Sequence, residues 1–340
     1  MACAVFPLIR DKPGTPKPAR RPKAMGRRAG VRATPSSICV KFLVSAYGMQ
    51  RHRDERAIQT WDGGKTGDRL VWPPLNIAHR GASGEAPENT LAAFDLALRQ
   101  GAGAIELDVH LSSDGVPMVI HDPRLNRTTS GSGWVSEHRA NALRRLDAGS
   151  WFNRQFPEKA RQRYVGAKIP LLAEVFAWVR QHKVLAFVEI KAGGKSYPGI
   201  EAKVLDEVER AGVRRLVTIV SFDLATLRRV RQITSRISLG LDFSRSLLAL
   251  RRVMSLPGNA ALPHWAIAPR RFIRRAHKHS IRVFPWTVDQ PARMERKIAD
   301  GVDGIITNFP ARLAEVISRL NSGLRSQGSG ARSEETVDGA

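Results

Sequence analysis

The sequence predicts an α/β protein built as a parallel (β/α)8 TIM barrel, and three observations lead there. Short apolar runs alternate with amphipathic stretches between residues 75 and 320, the pattern of parallel strands returning through helices. One neighbouring pair of runs is joined too tightly for a parallel crossover and must form an antiparallel β-hairpin after strand 2. The 340 residues hold one such barrel, which takes about 250, with arms on either side.

The strand runs, in order, are Leu75 to Ala78, Ala104 to Val109, Pro117 to Ile120, Leu185 to Ile190, Leu216 to Val220, Ile237 to Leu241, Trp265 to Ala268, Val283 to Val288 and Gly304 to Thr307. Amphipathic helices fit between most of them: Thr90 to Arg99, Leu172 to His182, Gly199 to Ala211, Leu224 to Gln232 and Ala311 to Leu320. The hairpin joins Glu106–Leu111 to Pro117–His121 through Ser112-Ser113-Asp114-Gly115. Pairing Leu111 roughly with Val116 would bring His121 close to Glu106.

Much of the net charge of +24 is local: residues 1 to 53 hold twelve Lys/Arg against the single acid Asp11, giving +11 and leaving +13 for the rest. Such an Arg-, Pro- and Ala-rich stretch buries too little apolar surface to offset its ordering entropy, so residues 1–70 are expected to be a disordered basic N-terminal arm. Its charge allows weak contact with an anionic membrane or polyanion. It is not patterned with aromatics, so no specific nucleic acid is expected as a partner. The barrel is expected over 72–320, followed by a flexible C-terminal tail over 321–340 rich in Ser, Gly and charge. No apolar run approaches the roughly 18 residues of a membrane span. Without a convincing secretory signal, the reading favours a cytoplasmic location. Both cysteines, Cys3 and Cys39, lie in the arm, so a metal in the barrel would be held by oxygen or nitrogen.

Candidate chemistry sits at strand ends. In Ile105-Glu106-Leu107-Asp108-Val109 the two carboxylates are at i and i+2, so both point to one face of a strand. Glu189 and Lys191 share a face in the same way. Alone, each pair fits a surface strand edge or an ion pair. Together, Glu106, Asp108 and Glu189 make an all-oxygen site suited to Ca2+ or Mg2+, with Lys191 free to meet a phosphate oxygen. His79 closes the first strand and His121 ends the return strand of the hairpin, and phosphodiester cleavage needs one base and one acid near neutral pH. His110, His138, His182, His264, His277 and His279 lack such company and are read as structural or surface residues.

The ordered series His79-Arg80-Gly81, Pro87-Glu88-Asn89-Thr90, Glu106-Leu107-Asp108-Val109, Asp114-Gly115-Val116-Pro117 and His121-Asp122 resembles the glycerophosphodiester phosphodiesterase family. The resemblance continues through Val188-Glu189-Ile190-Lys191, Pro285-Trp286-Thr287-Val288 and Gly304-Ile305-Ile306-Thr307, and covers about residues 75 to 320. It implies a barrel of the PLC-like phosphodiesterase type with its site at the C-terminal face, Ca2+ or Mg2+ dependence, and small-molecule glycerophosphodiester substrates. Metal ligands then map to Glu106, Asp108 and Glu189, the acid–base pair to His79 and His121, and phosphate contacts to Arg80 and Lys191. Trp286 would line the pocket near the glycerol or plug the barrel mouth. Asn89 reads as a helix N-cap and Glu88 as a first-turn dipole partner. Among the departures from the family pattern, Asn308 follows Thr307 where the family usually has Asp, and Ala173 and the Arg-rich stretch from Leu227 to Arg252 are also atypical.

The expected reaction is hydrolysis of glycerophosphocholine or glycerophosphoethanolamine to glycerol 3-phosphate and an alcohol. Two rivals stand beside it. One is lysophospholipase D action on substrates that retain an acyl chain; the other is a binding module in which the basic arm engages polyanions and the barrel is a scaffold.

Overall fold

The computed structural model describes residues 73–191, 197–245, 253, 255 and 258–330. The expected basic arm, and residues 331–340 of the expected tail, lie outside these. The strands are β1 (Leu75–His79), β2 (Ala104–Leu111), β3 (Pro117–Val119), β4 (Leu185–Ile190), β5 (Val217–Ser221), β6 (Ser238–Phe243), β7 (Ala260–Pro263), β8 (Arg282–Val283) and β9 (Gly304–Thr307). The helices are α1 (Leu91–Arg99), α2 (Ala140–Leu143), α3 (Ser150–Gln155), α4 (Leu172–His182), α5 (Ile200–Ala211), α6 (Leu224–Ile233), α7 (Arg270–His277), α8 (Pro291–Asp300) and α9 (Pro310–Gly330).

Eight strands run parallel in the order β8-β7-β6-β5-β4-β2-β1-β9, and β3 pairs antiparallel with β2. The seam between the two ends is bridged by backbone hydrogen bonds from Asp303 to Val283, Ile306 to Pro285 and Val288 to Ile306. The result is a nearly closed parallel barrel, as expected.

Side-chain alternation along the strands makes two cores. In β4, Ala186, Val188 and Ile190 pack outward with helix residues such as Val175, Phe176 and Val204. Leu185 and Phe187 instead point into the bore with Ile77, Ala104, Val220, Leu262 and Phe284. Phe187 and Phe284 meet edge to face at 5.2 Å and fill the lower bore, so emptying one of them would destabilise by about 3–5 kcal/mol. The plug matters for function because it leaves the C-terminal end of the bore to polar side chains on the same strand faces.

Local chemistry starts the helices where the site needs them. Thr90 caps α1, its hydroxyl accepting from Ala93 N, and Asp223 caps α6 by accepting from Ala225 and Thr226. Gly81 sits at φ 80°, and a Cβ there would come within 2.7 Å of Ala93. That glycine lets the loop after β1 lie against α1.

The structure differs from the sequence reading in the seventh strand, the hairpin register and the last helix. Trp265 to Ala268 is not a strand: His264 accepts from Ala266 N and starts a tight 3-10 turn over Trp265–Ile267. The strand is the preceding Ala260–Pro263, whose Ala-Ala-Leu-Pro composition carries little β-propensity. In the hairpin, Leu111 pairs with Pro117, not Val116, because Ser112 takes the hydrogen bonds with Val116. The last helix runs on to Gly330, ten residues past the expected end at Leu320, so 321–330 are helical where an irregular tail was expected.

Candidate active site

The bore-facing alternation that buries Ile77, Ala104 and Phe187 continues up the same strands to His79, Glu106, Asp108, Glu189 and Lys191. Glu106, Asp108 and Glu189 each present an oxygen, all within 4.8 Å of one another, and all three residues are buried. Parallel pairing sets this: Asp108 lies beside Glu189 in the β2–β4 ladder, and His79 beside Glu106 in the β1–β2 ladder.

Cations are interleaved with the acids. Lys191 Nζ lies 2.7 Å from Glu189 Oε2 and 2.8 Å from Asp108 Oδ1. Arg80 Nε lies 3.2 Å from Asp108 Oδ2, its Nη1 donates to Glu88 Oε1 at 3.0 Å, and its backbone N–H donates to Glu106 Oε2 at 3.0 Å. To make all three contacts Arg80 adopts φ 54°, a left-handed conformation that a long side chain occupies only under constraint.

These contacts split the carboxylates electrically. Burial alone would raise Asp108, but Lys191 and Arg80 overcome it and hold its carboxyl well below the usual range. Burial and the Asp108 charge push Glu106 well above it. Burial, then Asp108, raises Glu189 to about 7 against the pull of Lys191. Two of the three acids therefore resist ionising together in the absence of a counter-charge, and a hard divalent cation among three carboxylate oxygens would relieve that repulsion. The donor set fits Ca2+ or Mg2+ and offers no soft ligand.

The two histidines differ in what holds them. His79 Nδ1 faces the side-chain carbonyl of Asn308 at 2.7 Å, with Nε2 3.9 Å from Glu106. Burial, then the Arg80 charge, lowers His79 to about 4. His121 Nδ1 lies 2.6 Å from the Asp122 carboxylate. Burial lowers His121, while Asp108 and Asp122 oppose that shift. Arg127 clamps this side, with Nε 2.6 Å from Asp122 and Nη1 2.7 Å from Glu88. His110, read from sequence as structural, donates from Nε2 to the His121 carbonyl and faces the Tyr197 hydroxyl with Nδ1, both at 2.9 Å.

Trp286 ties its indole N–H to Leu262 O at 2.7 Å, and its ring meets Phe222 and His264 edge to face. It sits partly buried above the bore core. All eight residues singled out from the sequence thus converge on one end of the barrel. Sequence reasoning missed others. Asn89 is not the N-cap, which is Thr90; its side chain turns instead to Asp108. Glu88 is bound to Arg80 and Arg127 rather than poised at a helix dipole. Asp242, buried in β6 and held well above its usual range by burial and Glu189, lay at an inward position that strand alternation could have revealed. Arg127 stands in Arg127-Thr128-Thr129, which also resembles a block of the glycerophosphodiester phosphodiesterase family but carried no assigned role, and Asp289 gave no local signal.

A barrel that gathers carboxylates, paired histidines and fixed cations at the C-terminal ends of its strands is built to act on an anionic substrate beside a cation. Comparisons with known proteins narrow this. A model of the glycerophosphoryl diester phosphodiesterase family matches residues 79–312. A glycerophosphodiester phosphodiesterase of Caldanaerobacter subterraneus subsp. tengcongensis is 37% identical over 246 residues, covering 72% of this chain and 98% of that one. Another from Bacillus subtilis is 34% identical over 252 residues, covering 69% and 84%. Among solved structures, an Oleispira antarctica phosphodiesterase in complex with the product sn-glycerol-3-phosphate matches with a TM-score of 0.65 and 27% identity, over 72% of this chain and 97% of that one. The chain belongs to the glycerophosphoryl diester phosphodiesterase family.

Proposed function

We propose that the chain hydrolyses glycerophosphodiesters with His79 as base and His121 as acid, beside a Ca2+ or Mg2+ ion held by Glu106, Asp108 and Glu189. Family membership supports the activity: a glycerophosphodiester phosphodiesterase releasing glycerol 3-phosphate. The observation that carries the site assignment is the three-carboxylate cluster with a histidine on either side, one facing a neutral amide and the other a carboxylate.

A divalent cation bound there supplies charge neutralisation at the phosphate and lowers the pKa of a nearby hydroxyl. Arg80 and Lys191, already fixed by acids, hold the phosphate oxygens. His79 takes the proton of the glycerol 2-hydroxyl, whose oxygen attacks phosphorus to form a cyclic phosphate. The bond to the head-group alcohol breaks, and His121 protonates the departing oxygen; the Asp122 carboxylate favours the charged imidazolium this requires. The roles then reverse. His121 takes a proton from water, the water oxygen opens the ring, and His79 returns its proton to the 2-hydroxyl.

Trp286 lines the pocket beside the glycerol. The working location is the cytoplasm, where deacylated phospholipids arrive by uptake or turnover; no described helix is long and apolar enough to cross a membrane. The basic arm adds at most weak contact with anionic membranes or polyanions. One observation favours lysophospholipase D action as a second reading: Phe222, 48% exposed against Trp286, offers apolar surface at the barrel mouth to an acyl chain.

The test is release of glycerol 3-phosphate from glycerophosphocholine, with and without chelator, beside Glu106→Ala. Release that needs both the cation and Glu106 supports the proposal. No release from any glycerophosphodiester under Ca2+ or Mg2+, with turnover of lysophosphatidylcholine instead, would replace it by the second reading.

A further inference from the structure

We propose that Asp289, acting through Asn308, is a positioning residue that keeps the proton of His79 on Nδ1 and leaves the Nε2 lone pair turned toward Glu106. The assignment rests on the reading of His79 as base. It starts from an ambiguity: an asparagine amide can present its oxygen or, after a half-turn, its nitrogen to the same neighbour.

Two of the three neighbours of Asn308 cannot decide between these orientations. His79 Nδ1, 2.7 Å from Asn308, can donate in one tautomer and accept in the other. The Ser83 hydroxyl lies 2.7 Å from the His79 carbonyl and 2.8 Å from Asn308, and its single proton can serve either, so Ser83 accommodates both orientations.

Asp289 decides. Its Oδ1 is occupied by the Asn308 backbone N–H at 2.9 Å and the Thr307 hydroxyl at 3.0 Å, which aim Oδ2 at the Asn308 side chain 2.7 Å away. A carboxylate only accepts, so the Asn308 NH2 must face it; the turned amide would set a carbonyl oxygen against a carboxylate at that distance. The Asn308 oxygen is then committed to His79, Nδ1 must donate, and Nε2 is bare. Asp289 touches neither the histidine nor the carboxylate cluster, yet its charge selects which ring nitrogen can take a proton.

The test combines kinetics with the 15N NMR signals of His79 in the full chain, recorded at pH 8 with and without Mg2+ and assigned by loss in His79→Gln. The wild type is expected to show the Nδ1–H tautomer. Asp289→Asn lets the amide at 308 turn, moving the proton to Nε2, and kcat should fall roughly 10²-fold, the usual worth of a general base, with little change in KM. Asn308→Asp alone sets two carboxylates together and should fall comparably. The double variant Asp289→Asn/Asn308→Asp restores one donor and one acceptor in swapped places and should recover both the Nδ1–H signal and most of kcat. A wild type in the Nε2–H tautomer, or Asp289→Asn with wild-type tautomer and kcat, overturns the inference, as does a double variant no better than either single one. Because the NMR reading needs no turnover, an Nδ1–H His79 in a protein that cleaves no phosphodiester would sink the catalytic reading and leave the positioning intact.

Discussion

Asn89 and Asp108 hold each other by two hydrogen bonds: the Asn89 amide donates to Asp108 Oδ2 at 2.8 Å, and the Asp108 backbone N–H donates to Asn89 Oδ1 at 3.3 Å. Asn89 does this from φ 57°, a conformation asparagine tolerates better than most residues. Its amide fixes one oxygen of a proposed metal ligand. Asn89→Ala should therefore weaken Ca2+ and Mg2+ binding about 10- to 100-fold in calorimetric titration. Unchanged affinity would show that Asp108 is oriented without it.

Arg127 joins two acids that belong to different sides of the site, Glu88 behind Arg80 and Asp122 behind His121. Its side chain is 42% exposed, so the ion pairs contribute at most about 1 kcal/mol each to stability. Their effect should appear in turnover instead. Arg127→Ala is expected to lower kcat while shifting the melting midpoint little, and Arg127→Lys should not restore kcat, because an ammonium cannot bridge both acids with a planar fork. Full rescue by lysine would count against the bridging role.

Burial holds His110 down to about 4 from 6.5, so between those values the unfolded chain takes up the proton first. The stability contributed by neutral His110 is fully present above pH 6.5 and is lost as pH falls through 4. Measured as wild type minus His110→Asn, the difference in melting midpoint should shrink steadily from pH 7 to pH 4.5. A constant difference across that range would contradict a buried neutral imidazole.

The carboxylate cluster makes the cation-free protein carry repulsion that a divalent ion removes. At a hundredfold excess over its dissociation constant, Ca2+ or Mg2+ should stabilise the fold by about 2.7 kcal/mol, and Glu106→Ala should abolish most of that gain. Because burial and Asp108 push the Glu106 carboxyl up, Glu106→Gln without cation should melt above the wild type at pH 8. Thermal shift with and without chelator reads both; a cation-insensitive wild type would remove the metal from the proposed mechanism.

What was legible in the sequence is what strand geometry encodes locally. Glu106 with Asp108, and Glu189 with Lys191, lie two residues apart, and a strand puts such pairs on one face whatever surrounds it. The alternation of apolar runs and amphipathic helices similarly declared the barrel. The strand Ala260–Pro263 escaped because its residues have little β-propensity and gain their place by pairing between β6 and β8.

Tertiary structure alone decided the partners that make these groups specific. The sequence by itself determined which side chains would stand at the strand ends; it did not determine that Asn89 would reach Asp108, that Arg127 would bridge Glu88 to Asp122, or that Asp289 would orient Asn308 against His79. Asn308, visible only as a departure from a familiar pattern, took on meaning when barrel closure brought it to His79, 229 residues away along the chain. Strand alternation is a property of neighbours along the backbone, whereas these contacts depend on where separate loops are carried when the barrel closes.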